Sequence, residues 1–352
     1  MKRSALILIC MALLSSCLKN EDWKLEYSGY TPVSRADGWE VSTPEAESID
    51  AGLLEKAYRL FYSDEDFLMA NSLIVVRNGK IVAEAYCRDL SDIDRLENIQ
   101  SCTKSFTALL TGCALKQGLI ASISDPVYQY IPEYFDDNPD KRKITIRNCL
   151  TMMAGLDFDN SENTEELLMV EGSSLEYILS LDMIEDTGLV FRYNDGLPHL
   201  VGGIIAKQSG MSLAGFADES LFGPLGINNY KWETTQDGLN IGSAALRLIP
   251  RDLAKTGQLC LQEGKWGDKQ LFDPSWLQEA TAIQAGTEEG YGYYFWIYPA
   301  LEGYAMLGHG GQYCFVCPSK NLVMTYTAFP YTNEIFFDEA TRLFELIIKG
   351  CY

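Results

Sequence analysis

The sequence contains the tetrad Ser-x-x-Lys twice, as SCLK at 16–19 and as SCTK at 101–104. A serine hydroxyl becomes a good nucleophile only when a neighbouring group takes its proton. Residues three apart on a helix project from the same face, so Lys104 would lie one turn from Ser101. A lysine accepts that proton only if its pKa is lowered by burial or by other cations, and otherwise acts as a fixed positive charge. The tetrad therefore predicts a nucleophilic serine in one of its two copies.

The N-terminal copy lies in a segment with the layout of a secretory signal. Two basic residues precede an apolar run at 5–14, small residues end at Cys17, and the run is too short to span a bilayer. The stretch LSSC at 14–17 resembles a bacterial lipobox, which implies cleavage before Cys17 and lipidation of its thiol. We expect a signal peptide at 1–16 and an exported protein, lipid-anchored to the outer membrane on its periplasmic or cell-surface side. A plain signal peptide cut nearby is the alternative.

The net charge of the chain limits the classes of partner that we expect it to bind. With 49 acidic against 28 basic residues the formal net charge is -21, which disfavours nucleic acid, because such binding relies on Lys and Arg neutralising phosphates. A hydrophobic content of 47% is ordinary for a packed globular protein. We expect a small-molecule or peptide substrate, contact with a membrane through the N-terminal lipid only, and no nucleic acid. The sequence specifies no oligomeric state.

The second copy of the tetrad opens a predicted helix. Phe106, Leu109, Leu110 and Cys113 recur at helical spacing, and Gly118 is a typical C-terminal stop. Ser101 then lies in the first turn, where the free N–H groups and the positive end of the helix dipole favour an oxyanion. The context therefore assigns the chemistry to Ser101.

The elements that must hold this helix are predicted on both sides of it. Asp50 caps a first helix, and two β-branched runs joined by Asn78-Gly79 predict a hairpin. Helix-like pieces separated by turn residues fill the middle of the chain. Strand signals return late, and a last helix closes the chain. The late strand signals are YGYYFWIY, GYAMLGHG, QYCFVCP and LVMTYTAF.

Strands at both ends with helices between them predict an α+β fold, an antiparallel β-sheet flanked by helices plus an all-helical lobe. We expect a linker at 17–47 and a single catalytic domain at 48–352. The α/β part of that domain would comprise about 48–118 and 240–352, and the helical lobe about 119–239. The C-terminal segment would complete a sheet begun near the N-terminus.

Two further short motifs follow the second Ser-x-x-Lys tetrad in the sequence. Tyr193-Asn194-Asp195 precedes an apolar helix, and His309-Gly310-Gly311 is placed at the start of a predicted strand. In order, the three marks resemble the serine β-lactamase and penicillin-binding-protein superfamily, on its class C β-lactamase and esterase-like branch. Its marks are Ser-x-x-Lys, Tyr-x-Asn, and Lys-Thr-Gly or His-x-Gly. Blocks such as SLIVVRNGKIVAEAY and ITIRNCLTMMAGLDF are similar to that family as well.

The resemblance implies an α+β fold and a role for each matching residue. Ser101 would be the acylated nucleophile, Lys104 its proton partner, and Tyr193 the phenol that relays or accepts protons. His309 and Gly311 would form the third mark beside the substrate.

The oxyanion hole of the family would correspond to the backbone N–H groups of Ser101 and Gln312, and such donors are often the largest catalytic contribution. No metal and no cofactor are implied.

The sequence departs from the family at two of the marks. Asp195 stands where the family usually has Asn, which adds negative charge and removes an amide donor near the acyl site; Asn194 is expected to take its place by a small shift. His309 in place of Lys reduces fixed positive charge where β-lactams and peptide termini present a carboxylate. We therefore expect a serine hydrolase for esters, amides or small peptides, such as an esterase, D-amino-acid peptidase or amidase, rather than an efficient antibiotic hydrolase.

A protein of another class is the rival interpretation. Asp195 motivates a catalytically weak binding or sensor lipoprotein that keeps the fold. Other hydrolase types lack support, because the nucleophile elbow G-x-S-x-G and the zinc motif HExxH are both absent.

The remaining chemistry-bearing residues have structural interpretations. Cys314 and Cys317 form a CxxC, but in a strand positions three apart point to opposite faces, so the two thiols could not easily share an ion. His199 lies in an apolar stretch and is expected to be a satisfied structural residue. Cys102 is expected to point away from the nucleophile.

Overall fold

The computed structural model describes residues 24–63, 67–286, 290–329 and 337–352, without the side chains of 337 and 338. The predicted signal peptide and Cys17 lie outside the described residues. Within these ranges, no helix is both long and apolar enough to cross a membrane. The eight cysteines of the same ranges are buried and free of disulfides.

Twelve α-helices are found in the described ranges, with short 3-10 segments and one π-helical turn between some of them. The helices are α1 Ala51–Phe61, α2 Cys102–Lys116, α3 Val127–Tyr130, α4 Ile146–Leu150, α5 Asn160–Met169, α6 Ser174–Ser180, α7 Gly196–Ser209, α8 Leu213–Ala217, α9 Gly223–Leu225, α10 Pro250–Leu261, α11 Pro274–Ala280 and α12 Phe337–Gly350.

The same ranges contain twelve strands. They are β1 Glu40–Val41, β2 Ala70–Arg77, β3 Lys80–Tyr86, β4 Glu97–Asn98, β5 Tyr230–Trp232, β6 Leu246–Leu248, β7 Lys265–Trp266, β8 Lys269–Gln270, β9 Trp296–Tyr298, β10 Gly303–Gly308, β11 Gln312–Cys317 and β12 Leu322–Ala328.

A seven-stranded sheet joins the two ends of the chain in the order β1-β3-β2-β12-β11-β10-β9. The late strand β12 pairs antiparallel with the early strand β2, from Leu322 opposite Arg77 to Ala328 opposite Ala70. The sheet is antiparallel except where β1 runs parallel to β3. The predicted α+β fold, with a sheet completed by the C-terminal segment, is therefore confirmed.

Alternation along β2 explains why helices cover both faces of the sheet. Leu73 and Val75 lie in one core with residues of α1 and α12. Ile74 and Val76 lie in the other core with residues of α2, α10 and the helical region. Side chains of a strand alternate between faces, so an apolar run without polar interruptions requires cover on both sides. Helix α2, which begins beside Ser101, is thus held between the sheet and the helical region.

The hairpin between β2 and β3 turns where the sequence predicts it. Asn78 and Gly79 both have positive φ, 54° and 79°, as a two-residue turn matched to strand twist requires. Asp50 also caps α1 as predicted, because its carboxylate accepts from the Leu53 amide. Both predictions depended on neighbouring residues alone.

Three segments differ from their expected form. In YGYYFWIY only the last three residues form a strand, β9, because Tyr294 has φ 62° and the Tyr293 ring packs on Trp276 of α11. The helical middle of the chain contains an unpredicted strand, β5, which pairs with β6. The expected linker contributes β1 and the nearly buried Trp39, so it packs on the domain from Lys24 onward.

Candidate active site

Ser101 lies at the start of α2, a helix buried along most of its length. The preceding residue, Gln100, has φ 51°, and its amide donates to the Asn98 side chain over 2.9 Å. A positive φ at a non-glycine residue is uncommon and occurs preferentially at functional sites. The Ser101 hydroxyl makes no capping bond to its own helix, so it remains directed to the site.

Lys104 is 1% exposed and contacts three oxygen atoms. Its Nζ lies 2.8 Å from Ser101 Oγ, 2.5 Å from Asp195 Oδ1 and 3.1 Å from the Ser243 carbonyl oxygen. Burial alone would lower the pKa of Lys104, but the Asp195 carboxylate and Tyr193 together outweigh it, so that the pKa is raised above its ordinary value. Of the two roles considered for the lysine, the geometry favours the fixed positive charge.

Tyr193 closes over the lysine from the segment before α7. The Lys104 Nζ lies 4.9 Å from the centroid of the Tyr193 ring. That ring also packs on Trp296 at 5.9 Å and on Tyr291 at 6.2 Å between centroids. Aromatic neighbours on two sides fix the ring, so the phenol has a defined position beside Lys104.

Asp195 is held by two residues that the sequence did not indicate. Thr164 Oγ1 donates to Asp195 Oδ2 over 3.0 Å, and the Asp195 amide donates to Asn160 Oδ1 over 2.8 Å. Asn160 and Thr164 are one turn apart on α5, hence on one face. No motif marks either residue, because each contacts Asp195 from a distant part of the chain. Thr164 is 31 residues away from Asp195 in the sequence, and Asn160 is 35 residues away.

The expectation that Asn194 takes the place of the family's asparagine is wrong. Asn194 is 2% exposed, its Oδ1 accepts from the Leu197 amide, and its Nδ2 donates to the Arg192 carbonyl oxygen. The side chain therefore caps α7. Asp195 is the residue that reaches Lys104.

The third mark lies in the turn between β10 and β11 rather than at the start of a strand. Gly310 and Gly311 have φ 71° and 88°, values that only glycine adopts freely. His309 is exposed at the cleft. Gln312 begins β11, is fully buried, and its carbonyl oxygen accepts from Cys102 Sγ at 3.4 Å. This bond brings the start of β11 against the first turn of α2.

Gly308 allows the strand to approach the nucleophile. A Cβ at this position would lie 2.4 Å from the Ile99 carbonyl oxygen and 3.1 Å from Gln100 Cβ. Only a residue without a side chain permits that contact. The end of β10 therefore passes directly beside the segment that leads into Ser101.

These residues share one cleft of about 530 Å³. Ser101, Tyr193, Asp195, His309 and Gly311 line it, and Lys104 lies buried behind Ser101. The structure thus brings together the predicted residues, with Gln312 buried at the edge of the group; their catalytic roles remain predictions. Apolar lining residues that the sequence did not indicate are Leu168, Ala244, Ala245, Trp296 and Leu307.

His199 and the two cysteines of the CxxC are buried in the cores of the domain. His199 is fully buried, its Nε2 lies 2.8 Å from Ser174 Oγ, and burial lowers its pKa to about 4. Cys314 and Cys317 belong to cores on opposite faces of the sheet. In the part of the chain that the structure describes, no group of three His, Cys, Asp or Glu side chains could hold a metal ion.

Known structures share this fold. A Bacillus anthracis protein described as a 6-aminohexanoate-dimer hydrolase is 19% identical, with 96% of this chain and 93% of that one covered and a TM-score of 0.74. A family VIII carboxylesterase is 18% identical, with coverages of 88% and 98% and a TM-score of 0.71. A class C β-lactamase is 15% identical, with coverages of 85% and 95% and a TM-score of 0.69. At these identities the likeness establishes the fold.

The family is identified from the amino-acid sequence. No curated protein sequence matches the chain. The family model Beta-lactamase matches residues 69–345, well over half of the chain. The protein belongs to the β-lactamase family, whose members are acyl-serine hydrolases in general, and the resemblance drawn from the three marks is confirmed.

Proposed function

We propose that this protein is a serine hydrolase that forms an acyl-enzyme on Ser101 with a neutral ester, amide or small peptide. The observation that carries the proposal is the contact of 2.8 Å between Ser101 Oγ and the buried Lys104 Nζ, with the Tyr193 ring over the same nitrogen. A serine beside a buried cation at a helix N-terminus is suited to carry the negative charge of an attacking oxygen.

The proposed reaction has two halves. Ser101 Oγ attacks the substrate carbonyl carbon, and the oxyanion accepts hydrogen bonds from the amides of Ser101 and Gln312. The serine proton passes to Tyr193 Oη, while the tyrosine's own proton goes to the leaving oxygen or nitrogen, so no net charge is created on the phenol. The bond to the leaving group breaks, and water then releases the acyl group by the reverse proton path.

The lining of the cleft supports the substrate class. Leu168, Trp296 and Leu307 offer apolar surface to an acyl chain. The Lys104 charge is balanced by Asp195 at 2.5 Å, and the third mark carries His309 where a lysine would supply a fixed charge. A carboxylate-bearing antibiotic therefore finds less attraction here than a neutral ester or amide does. The neighbour described as a family VIII carboxylesterase fits the same class.

A second candidate is a catalytically weak binding or sensor protein with the same fold. The ion pair between Lys104 and Asp195 favours it, because the carboxylate offsets the positive charge that would otherwise stabilise an attacking Ser101 oxygen. For either candidate we propose lipid attachment at Cys17, with the domain tethered outside the cytoplasm and peptide or small-molecule ligands within reach.

Labelling with a fluorophosphonate and a penicillin-type probe tests the proposal. We expect the wild type to be labelled and Ser101→Ala not, while the control Ser28→Ala, at an exposed serine outside the cleft, is labelled normally. Absence of wild-type labelling by both probes contradicts the hydrolase and leaves the sensor.

Turnover then separates the substrate classes. We expect p-nitrophenyl butyrate to be cleaved and nitrocefin to be turned over negligibly. Efficient nitrocefin hydrolysis with no ester cleavage contradicts the proposed substrate class.

A further inference from the structure

The carboxylate of Asp195 is directed away from the helix that it begins. Asp195 is at the N-cap of α7, where an aspartate normally accepts from the backbone of the first turn, yet it makes no capping bond. Asn194 makes that bond instead, to the Leu197 amide. The side chain of Asp195 is therefore committed to contacts outside its helix.

Those contacts hold one carboxylate oxygen against Lys104 and the other against α5. Oδ1 lies 2.5 Å from Lys104 Nζ, and Oδ2 accepts from Thr164 Oγ1 over 3.0 Å. The backbone of Asp195 is fixed by the same face of α5, because its amide donates to Asn160. These bonds fix both carboxylate oxygens and the backbone of Asp195. The carboxylate cannot rotate without breaking at least one of them.

The pair is too deeply buried for the lysine to lose its charge at low cost. The side chains of Lys104 and Asp195 are 2% and 15% exposed. A neutral lysine would leave the carboxylate without a counter-charge in this setting, and an uncompensated buried charge is strongly unfavourable. An amide in place of the carboxylate, as the family usually has, would impose no such requirement.

Other titratable groups near the lysine do not replace the carboxylate. Tyr193 lies over it from the start of α7, and the Cys102 thiol follows Ser101 on the same helix. Tyr291 packs behind Tyr193, and His309 lies exposed elsewhere on the cleft. Among these described groups, Asp195 is the one carboxylate.

We infer that Thr164 and Asp195 are positioning residues that hold Lys104 as an ammonium ion beside Ser101. The lysine then donates to Ser101 Oγ and stabilises the attacking oxygen by charge, and the serine proton leaves through Tyr193 rather than through the lysine. This inference rests on the proposed function, because it assigns a role within that reaction.

The pH dependence of fluorophosphonate labelling distinguishes the two roles of the lysine. Asp195→Asn keeps the shape and removes the charge, which lowers the pKa of Lys104. If the ammonium form is required, the wild type keeps its labelling rate to the alkaline end of the pH range, while the high-pH limit of Asp195→Asn moves to lower pH. A low-pH limit that moves down instead, with a faster rate at neutral pH, means that the lysine is the base and overturns the inference.

Variants of Thr164 test the positioning role without changing any charge. Thr164→Val removes a bond to an ionised group, so we expect the labelling rate to fall roughly tenfold, and Thr164→Ser to restore it. Thr111→Val serves as the control, since Thr111 bonds within α2 to the Thr107 carbonyl oxygen and lies outside the cleft. Equal rates for Thr164→Val and wild type overturn the role of Thr164.

Different results overturn the proposed function and the inference about Lys104. A wild type that reacts with no probe overturns the proposed function and this inference with it. A wild type that is labelled, with an unchanged pH profile in Asp195→Asn, overturns the inference alone.

Discussion

Replacing Gly308 by alanine would place a methyl group between β10 and the segment that leads into Ser101. The new Cβ would lie 2.4 Å from the Ile99 carbonyl oxygen, whereas contacts of a real Cβ are rarely closer than 3.0–3.4 Å. The obstacle is backbone and cannot rotate away. The strand and the segment must therefore separate by about 0.6–1 Å.

That displacement acts on the nucleophile through one hydrogen bond. The Ile99 carbonyl oxygen accepts from the Cys102 amide over 3.1 Å, so moving it moves the first turn of α2 and Ser101 with it. A misplacement of about 1 Å at a reacting group costs roughly 100-fold in rate. We expect Gly308→Ala to lower kcat by about that factor.

Initial rates on p-nitrophenyl butyrate measure the effect, with thermal unfolding to verify that the variant is folded. Gly286→Ala is the matched control, because a Cβ there meets no atom within 4 Å and the backbone needs no positive φ. A folded Gly308→Ala with wild-type kcat would refute the claim that this close approach positions Ser101.

Two predictions concern the stability of the fold. The side chain of Arg251 is 1% exposed and pairs with the buried Glu84 at 2.5 Å. Arg251→Met leaves the Glu84 charge uncompensated, so we expect the free energy of unfolding, measured in urea, to fall by about 3–5 kcal/mol. A fall of less than about 1 kcal/mol contradicts this. Burial lowers the pKa of His199 to about 4. As the pH falls below 6.5, His199 therefore takes up a proton in the unfolded chain before it does so in the folded one. The free energy of unfolding should then fall between pH 6.5 and about 4, by at most about 1.4 kcal/mol per pH unit, and His199→Gln should flatten that slope. Equal slopes in urea unfolding of the two proteins would contradict it.

The parts of the fold that the sequence predicts are those set by neighbouring residues. Asn78-Gly79 demands positive φ at two successive positions, which specifies the hairpin wherever it lies in the chain. Ser101 and Lys104 meet because a helix brings residues three apart together, and α2 forms where the apolar spacing predicts it. These features needed no tertiary information.

The rest of the site depends on contacts that no local pattern encodes. The Ser243 carbonyl oxygen reaches Lys104 from 139 residues away, and Thr164 reaches Asp195 from another helix. Asn194 and Asp195 are both good N-cap residues, so the sequence could not decide which one caps α7 and which one turns to the lysine. Packing of α5 against the start of α7 makes that choice.

Trapping an acyl group on the enzyme tests most directly whether Ser101 is the nucleophile. The wild type would be mixed with an excess of p-nitrophenyl butyrate, quenched in acid within milliseconds to seconds, and examined by intact mass spectrometry and peptide mapping. We expect a mass increase of one butyryl group on the peptide that contains Ser101, and no increase in Ser101→Ala. Ester turnover with the label on another residue, or turnover that persists in Ser101→Ala, would contradict it.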